Sequence, residues 1–342
     1  MSDTTPFDSL PLDILLHHAA FAPLPSIAWL RITGEDRTRW LNGMTTNGVQ
    51  TLAPGQGCYT FFLNAQGRIQ HDATLFAEPH SLLLETSVTQ LEPLVAMLDR
   101  YIIMDDVELA LLPTHAGLLL AGPEAEAALL ALDLAVPPVG LHLAGDRTHH
   151  VDVVRAYSPL IPRFELWSNA EIIAGLNEKL VELRIPQAST DDLEKLRILE
   201  GTPLFGIDIR DRDLPQETAP SGTQSRALHF SKGCYLGQEI VERIHSRGSL
   251  HRTFAGFTLS GPAPAPGTSL FSGAQPDKPI GELTSIAEVT LDGKRAVVAL
   301  GYIRRETLDR GEPIHSAGGE ARPAALPFSI EPRQPAPASN VH

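Results

Sequence analysis

The stretch Tyr59-Thr60-Phe61-Phe62-Leu63-Asn64-Ala65-Gln66-Gly67-Arg68-Ile69-Gln70-His71-Asp72-Ala73-Thr74-Leu75-Phe76 decides the fold class. Tyr59–Leu63 is rich in strand-forming side chains. Asn64-Ala65-Gln66-Gly67 is a turn signal, with Gly67 free to take a positive φ. Arg68–Phe76 returns as a strand, so 58–76 reads as an antiparallel β-hairpin. Upstream, Ile27–Ile32 is a β-rich run ended by Gly34, and Asp36–Asn42 reads as a short helix. Downstream, Ser87-x-x-Gln90 has capping-box spacing and opens a helix through about Tyr101.

Residues 107–185 repeat this style. Val107–Leu112, Gly117–Ala121, His150–Ala156 and Arg163–Trp167 read as strands, and Pro123–Leu132 as a helix. Ser168-x-x-Glu171 caps a further helix, with Ile172, Leu176 and Leu180 on one face. Ser189 with Asp192 opens a helix over 189–201. No glycine-rich phosphate loop follows a strand. Strand-helix-strand passages with antiparallel hairpins therefore predict an α+β fold of ferredoxin-like modules rather than a doubly wound sheet. From Arg252 the pattern changes. Phe254–Leu259, Ile280–Val289 and Ala296–Ile303 are short β runs separated by Gly/Pro clusters, which predicts a small C-terminal β-barrel. The expected organisation is an α+β region over 1–250, a barrel over 251–331 and a loose Pro/Ala-rich tail over 332–342.

Composition narrows the function classes. The chain has 342 residues and a formal net charge of −14. A net negative field repels phosphate backbones, so direct nucleic-acid contact is not expected. The two cysteines, Cys58 and Cys234, are far apart, which points to a reducing compartment and against a zinc site or a resident iron–sulfur cluster. No run approaches the ~20 apolar residues that span a bilayer, and the N-terminus has no signal-peptide pattern, so a cytoplasmic protein without membrane contact is expected.

The most informative segment is Phe230-Ser231-Lys232-Gly233-Cys234-Tyr235-Leu236-Gly237-Gln238-Glu239. Lys232 precedes the thiol by two residues, and Arg243, His245 and Arg247 follow. Cations near a cysteine stabilise its thiolate, so Cys234 is a candidate nucleophile, redox sensor or transient metal ligand. The plainer reading, a small buried residue, stays open beside it. A cysteine-protease arrangement lacks any accompanying nucleophile signature. Arg243 and Arg247 share one face if 239–247 is helical and could clamp an anion or simply face solvent. Trp29, Trp40 and Trp167 read as core.

The Lys-Gly-Cys-Tyr-x-Gly-Gln-Glu pattern of 232–239, with Arg243 four residues on, resembles the signature of the YgfZ/Iba57-type folate-binding family. Leu214-Pro215-Gln216-Glu217, Arg247-Gly248, Ile32–Arg37, Leu41-Asn42-Gly43, Thr46-Asn47, Leu52-x-Pro54-Gly55 and Leu63-Asn64-x-x-Gly67-Arg68 also fit, so the likeness runs from about residue 26 to about residue 303. The wider superfamily contains the glycine-cleavage aminomethyltransferases. The resemblance implies α+β modules around a central tetrahydrofolate cavity plus a β-barrel. It also implies a role supporting iron–sulfur client or assembly proteins, including enzymes that thiolate tRNA. The alternative it carries is a folate-dependent aminomethyltransferase.

On this likeness Asp72 matches the second member of an Asp-Asp pair, with His71 in the first position. Asp72, Lys232, Tyr235, Gln238, Glu239, Arg243 and Arg247 become candidate folate-binding residues, and Cys234 and Asp72 candidate reactive groups, with Cys234 a transient cluster ligand. Two departures stand out. The Arg-x-Glu-x-Gly that holds the pterin in aminomethyltransferases reads Arg197-Ile198-Leu199-Glu200-Gly201, with Leu199 at the Glu position. Since one helical residue is a rotation of ~100°, Glu200 is expected to point elsewhere. Their Phe-x-Gly-Arg reads Tyr235-Leu236-Gly237-Gln238, and Gln238 offers no charge. Both departures weaken the transferase reading.

Overall fold

A computed structural model of the chain describes residues 12–248, 250–273, 275–291 and 294–329. The tail expected over 332–342 lies outside the described residues. The chain opens with α1 (Leu12–His17), β1 (Ala20–Pro23), β2 (Ile27–Thr33) and α2 (Arg37–Asn42). The hairpin β3 (Gly57–Leu63) and β4 (Ile69–Ala77) follows, then β5 (Leu82–Ser87), α3 (Val88–Asp99) and β6 (Glu108–Leu111). Next come β7 (His115–Ala121), α4 (Ala125–Ala131), β8 (His142–Asp146), β9 (Val151–Arg155), β10 (Arg163–Asn169), α5 (Ala170–Glu182) and α6 (Thr190–Leu199). A 3-10 turn at Pro215–Thr218 and α7 (Gln238–Arg247) occupy the motif region. The last part holds β11 (Arg252–Leu259), β12 (Ser269–Ser272), β13 (Gln275–Leu291), β14 (Lys294–Arg304), α8 (Arg305–Arg310), β15 (Ile314–Ser316) and β16 (Gly319–Ala324).

Two five-stranded antiparallel sheets result, ordered β1-β7-β10-β9-β8 and β3-β4-β5-β2-β6. The strands from β11 onward close a barrel ordered β11-β14-β13-β12-β15-β16. The fold is therefore α+β with a C-terminal barrel. The four-residue β1 is too short to show a period in sequence. It is a strand because its backbone pairs with β7, a contact from the far side of the module.

Each sheet has an outer face covered by helices and an inner face turned to the other sheet. Leu94 and Leu98 of α3 pack with Trp40 and Leu41 of α2 over Leu30, Leu75 and Leu84. Leu129 of α4 and Leu176 and Leu180 of α5 cover Leu120, Phe164 and Leu166. Between the sheets, Trp29, Phe76 and Leu83 meet Leu143, Val154 and Trp167. The Trp167 ring stands edge-on to Trp29 and Phe76, at 5.7 and 5.5 Å. All three tryptophans are buried. The barrel packs on α1 and α6 through Phe254, Leu300 and Tyr302.

Two capping expectations change on inspection. Asn169, not Ser168, caps α5 and accepts from the amide of Ile172; Ser168 Oγ instead donates to the carbonyl of His150 at 2.6 Å. Ser87 occupies the N-cap of α3 without a side-chain cap, because Gln90 is diverted toward Asp72. Ser189 and Asp192 do form the capping box of α6.

Candidate functional site

The 230–239 segment is docked onto the β3–β4 hairpin. Gly237 has φ of +82°, and a Cβ there would meet the carbonyl oxygen of Asn64 at 2.6 Å and Cβ of Leu63 at 3.0 Å. Gly67 has φ of +69°, and a Cβ there would press on Ile240 at 2.8 Å. Only glycine meets both demands, left-handed backbone and close approach. Tyr235 is buried with Phe61, Ile69, Leu228 and Val241, and burial pushes its phenol up to about 12. Gln238 Oε1 accepts from the Tyr235 amide at 3.3 Å. Gln216 Nε2 donates to the Val241 carbonyl at 2.8 Å, and Glu217 accepts from Arg252 at 3.0 Å, so the upstream Leu-Pro-Gln-Glu stretch ties α7 and the barrel together.

Lys232 is turned inward. Its Nζ donates to the carbonyls of Asn42, Thr45 and Asn47 at 2.7, 2.5 and 2.7 Å. Burial pulls its pKa down to about 7, and Cys58 opposes that shift. Three carbonyl acceptors need three donors, which only the ammonium has, so the hydrogen bonds favour the charged form. Cys234 is not among its hydrogen-bond partners. The expected Lys232–thiol pairing is thus corrected: the ammonium binds carbonyls of the last residue of α2 and of the turn that follows it. Cys234 itself is exposed, so the buried reading of its thiol fails; Cys58 is the buried one.

Glu239 and Arg243 lie exposed on α7. Arg247 ends that helix, and its side chain lies outside the described residues. His245 stacks on Phe230 with ring centres 3.8 Å apart. Among the described residues no group of three or more His, Cys, Asp and Glu is arranged to hold a metal ion.

Asp72 faces the same side of the hairpin as Tyr59, diagonal to it across the Phe61–Asp72 pair. Its carboxylate accepts from Tyr59 Oη and from Gln90 Nε2, both at 2.7 Å. Gln90 Oε1 also accepts from the Asp72 amide at 3.1 Å. Burial raises the pKa of Asp72, while Gln90 and Tyr59 pull it back.

The cavity lies between the hairpin and the β9–β10 connection. Its larger chamber, about 680 Å³, is lined by Asn47, Cys58, Tyr59, Tyr157, Arg163, Arg226 and His229, among others. A smaller chamber of about 220 Å³ adjoins it, with Tyr59, Tyr157 and Arg226 common to both walls. Arg226 lays its guanidinium 3.3 Å from the Tyr157 ring centre and 5.2 Å from that of Tyr59. Asn47 Nδ2 donates to the carbonyls of Tyr59 and Arg226, both at 2.9 Å, which fixes the two walls to each other. The larger volume suits a ligand of a few hundred daltons. Asp72, Lys232, Tyr235, Gln238 and Cys234 are not among the residues lining either chamber.

Glu200 is the main departure from expectation. It is the C-cap of α6 and lines the smaller chamber, while Leu199 is packed in the core. The rotation argument fails because the helix stops at Leu199 and Gly201 turns the chain at φ of +67°. Glu200 accepts from Ser158 Oγ, and burial raises its pKa. Arg226 and Tyr157 escaped sequence reading altogether. Each is an isolated residue in an irregular stretch, with nothing but side-chain type to mark it.

Comparison with known proteins agrees with this architecture. The GCVT N-terminal domain family matches residues 17–138. A tRNA-modifying protein YgfZ from Yersinia enterocolitica is 28% identical, covering 79% of this chain and 81% of that protein. The mitochondrial iron–sulfur cluster assembly factor IBA57 of Mus musculus is 26% identical over 89% of this chain and 85% of its own. The glycine cleavage system aminomethyltransferase T from Bartonella henselae superposes with a TM-score of 0.80 at 20% identity, covering 96% of this chain and 91% of that one. The chain is similar in sequence to YgfZ and IBA57 proteins and shares the fold of the aminomethyltransferase. The second glycine of the 232–239 signature, Gly237, serves docking of the hairpin turn, and the cavity wall comes from residues outside the signature. No described helix is long and apolar enough to cross a membrane.

Proposed function

We propose that this protein is a tetrahydrofolate-binding accessory protein that supports assembly or repair of iron–sulfur clusters in client enzymes, including enzymes that modify tRNA. One observation carries the folate reading. A buried carboxylate, Glu200, and an arginine with no contact ion pair among the described residues, Arg226, face adjoining chambers walled by two tyrosines. A pterin presents an amidine-like edge, and a carboxylate meets such an edge with paired hydrogen bonds. Glu200 takes that role here, in place of the Glu that the family pattern puts at position 199. Asp72 acts behind the wall, holding Tyr59 through its hydroxyl. The YgfZ and IBA57 relatives supply the iron–sulfur and tRNA side of the reading. The exposed Cys234 is the group offered to a client for transient thiol or cluster chemistry. A transferase needs a carboxylate beside the reacting nitrogen. Asp72 is held by two hydrogen bonds and lines neither chamber, so the accessory role is preferred.

Anaerobic titration of tetrahydrofolate into the purified chain tests the binding step. Saturable binding that Glu200→Ala weakens at least tenfold is expected; no binding to the wild type overturns the reading. Complementation of a YgfZ-deficient strain tests the role. Rescue by the wild type and not by Cys234→Ala is expected. Equal rescue by both removes the thiol from the mechanism, and failure of the wild type removes the accessory role.

A further inference from the structure

The cavity carries a cation with no contact ion pair among the described residues. Arg155 and Arg163 line the larger chamber, but Arg155 pairs with Glu126 at 2.7 Å and Arg163 with Glu165 at 2.8 Å. Arg226 has no such partner. Its guanidinium forms no hydrogen bond or close ion pair among the described residues; the rings of Tyr157 and Tyr59 flank it, and the Glu200 carboxylate acts on it only from beyond contact distance. A guanidinium carries five N–H donors in a fixed fork. Here one face rests on an aromatic ring, and the donors open to the solvent-exposed side of the cavity. The root of the side chain is fixed, because Asn47 holds the Arg226 carbonyl and Thr46 Oγ1 donates to the Ala227 carbonyl at 2.6 Å. A positive fork seated on an aromatic face with no anion in contact with it is preorganised for one.

We propose that Arg226 is the seat for a carboxylate of the ligand, at the wall shared by the two chambers. The matching chemistry is a carboxylate carried on a flat conjugated body. The carboxylate meets the guanidinium fork two-pronged, and the flat body lies along the tyrosines. On the folate reading above, that carboxylate belongs to the glutamate end of the ligand, and the pterin end points to Glu200. This assigns the ligand's direction as well as its charge.

Three probes separate this proposal from the folate reading. Tetrahydrofolate carries both ends, 6-methyltetrahydropterin only the pterin, and 4-aminobenzoylglutamate only the carboxylate end. Each is titrated into wild type, Arg226→Gln and Arg226→Lys by calorimetry. Arg226→Gln is expected to weaken tetrahydrofolate and 4-aminobenzoylglutamate by about 10- to 100-fold, and to leave 6-methyltetrahydropterin unchanged. Arg226→Lys should recover part of the loss. Because the Arg226 guanidinium makes no hydrogen bond among the described residues, both variants should melt within about 2 °C of wild type. If Arg226→Gln binds both carboxylate probes as wild type does, the seat is overturned while the folate reading stands. If wild type binds 4-aminobenzoylglutamate through Arg226 but neither pterin, the seat stands and the folate reading falls. Binding of no carboxylate probe at millimolar concentration overturns both.

Discussion

Replacing Gly237 by alanine tests whether the signature's second glycine is there for folding. Two costs add at this position. A residue with a Cβ at φ of +82° pays roughly 1–2 kcal/mol for left-handed backbone. The new methyl would also stand 2.6 Å from the Asn64 carbonyl, a backbone atom that cannot rotate away. Relieving that overlap by shifting α7 off the hairpin costs about 1–3 kcal/mol. The sum, about 2–5 kcal/mol, is a large share of the stability of an ordinary domain. Gly233 is the internal control. It lies four residues away in the same signature, and a Cβ there comes no closer than 4.0 Å to Asn42 Nδ2. Urea unfolding of Gly237→Ala and Gly233→Ala should give a large loss for the first and a change within about 1 kcal/mol for the second. Equal effects, or a loss below about 1 kcal/mol at Gly237, would refute the docking argument.

Four further outcomes are expected. Lys232→Met should destabilise by about 2–4 kcal/mol, since three carbonyls lose their donor; an unchanged urea midpoint would return Lys232 to a ligand or thiol role. Cys234→Ala should leave the melting temperature unchanged, because the side chain is exposed. Glu85 faces Glu165 between the sheets, and burial followed by that like charge pushes its carboxyl up to about 8. The folded state then holds a proton that the unfolded state releases above about pH 4.5, so wild-type stability declines as pH rises from about 4.5 to about 8. Glu85→Gln should remove this slope, gaining on wild type by at most about 4 kcal/mol between about pH 5 and pH 8; parallel curves in urea would refute the coupling. Tetrahydrofolate affinity should rise with pH through the raised pKa of Glu200, because the pterin edge pairs with the ionised carboxylate; a flat profile in wild type, matching Glu200→Gln, would assign the pterin end to another group.

The sequence alone determined what depends on neighbours along the chain. The hairpin at 58–76, the capping box at Ser189 and the Gly/Pro-spaced strands of the barrel are local patterns, set by turn chemistry and side-chain period. The 232–239 signature marked the resemblance, but not what its residues touch. That Lys232 would cage carbonyls 185 to 190 residues away was not legible, because no local pattern encodes which orphan acceptors a cation will meet. Only the tertiary structure decided the cavity wall. Tyr59, Tyr157, Glu200 and Arg226 come from four separate stretches, and each acquires its environment when the hairpin, the β9–β10 connection, the end of α6 and the loop before the signature are brought together. Glu200 makes the point most clearly. Its direction followed from where α6 ends and how Gly201 turns, not from its place in a motif. A side chain's type is written in the sequence, but its desolvation and its partners are set by contacts between distant segments.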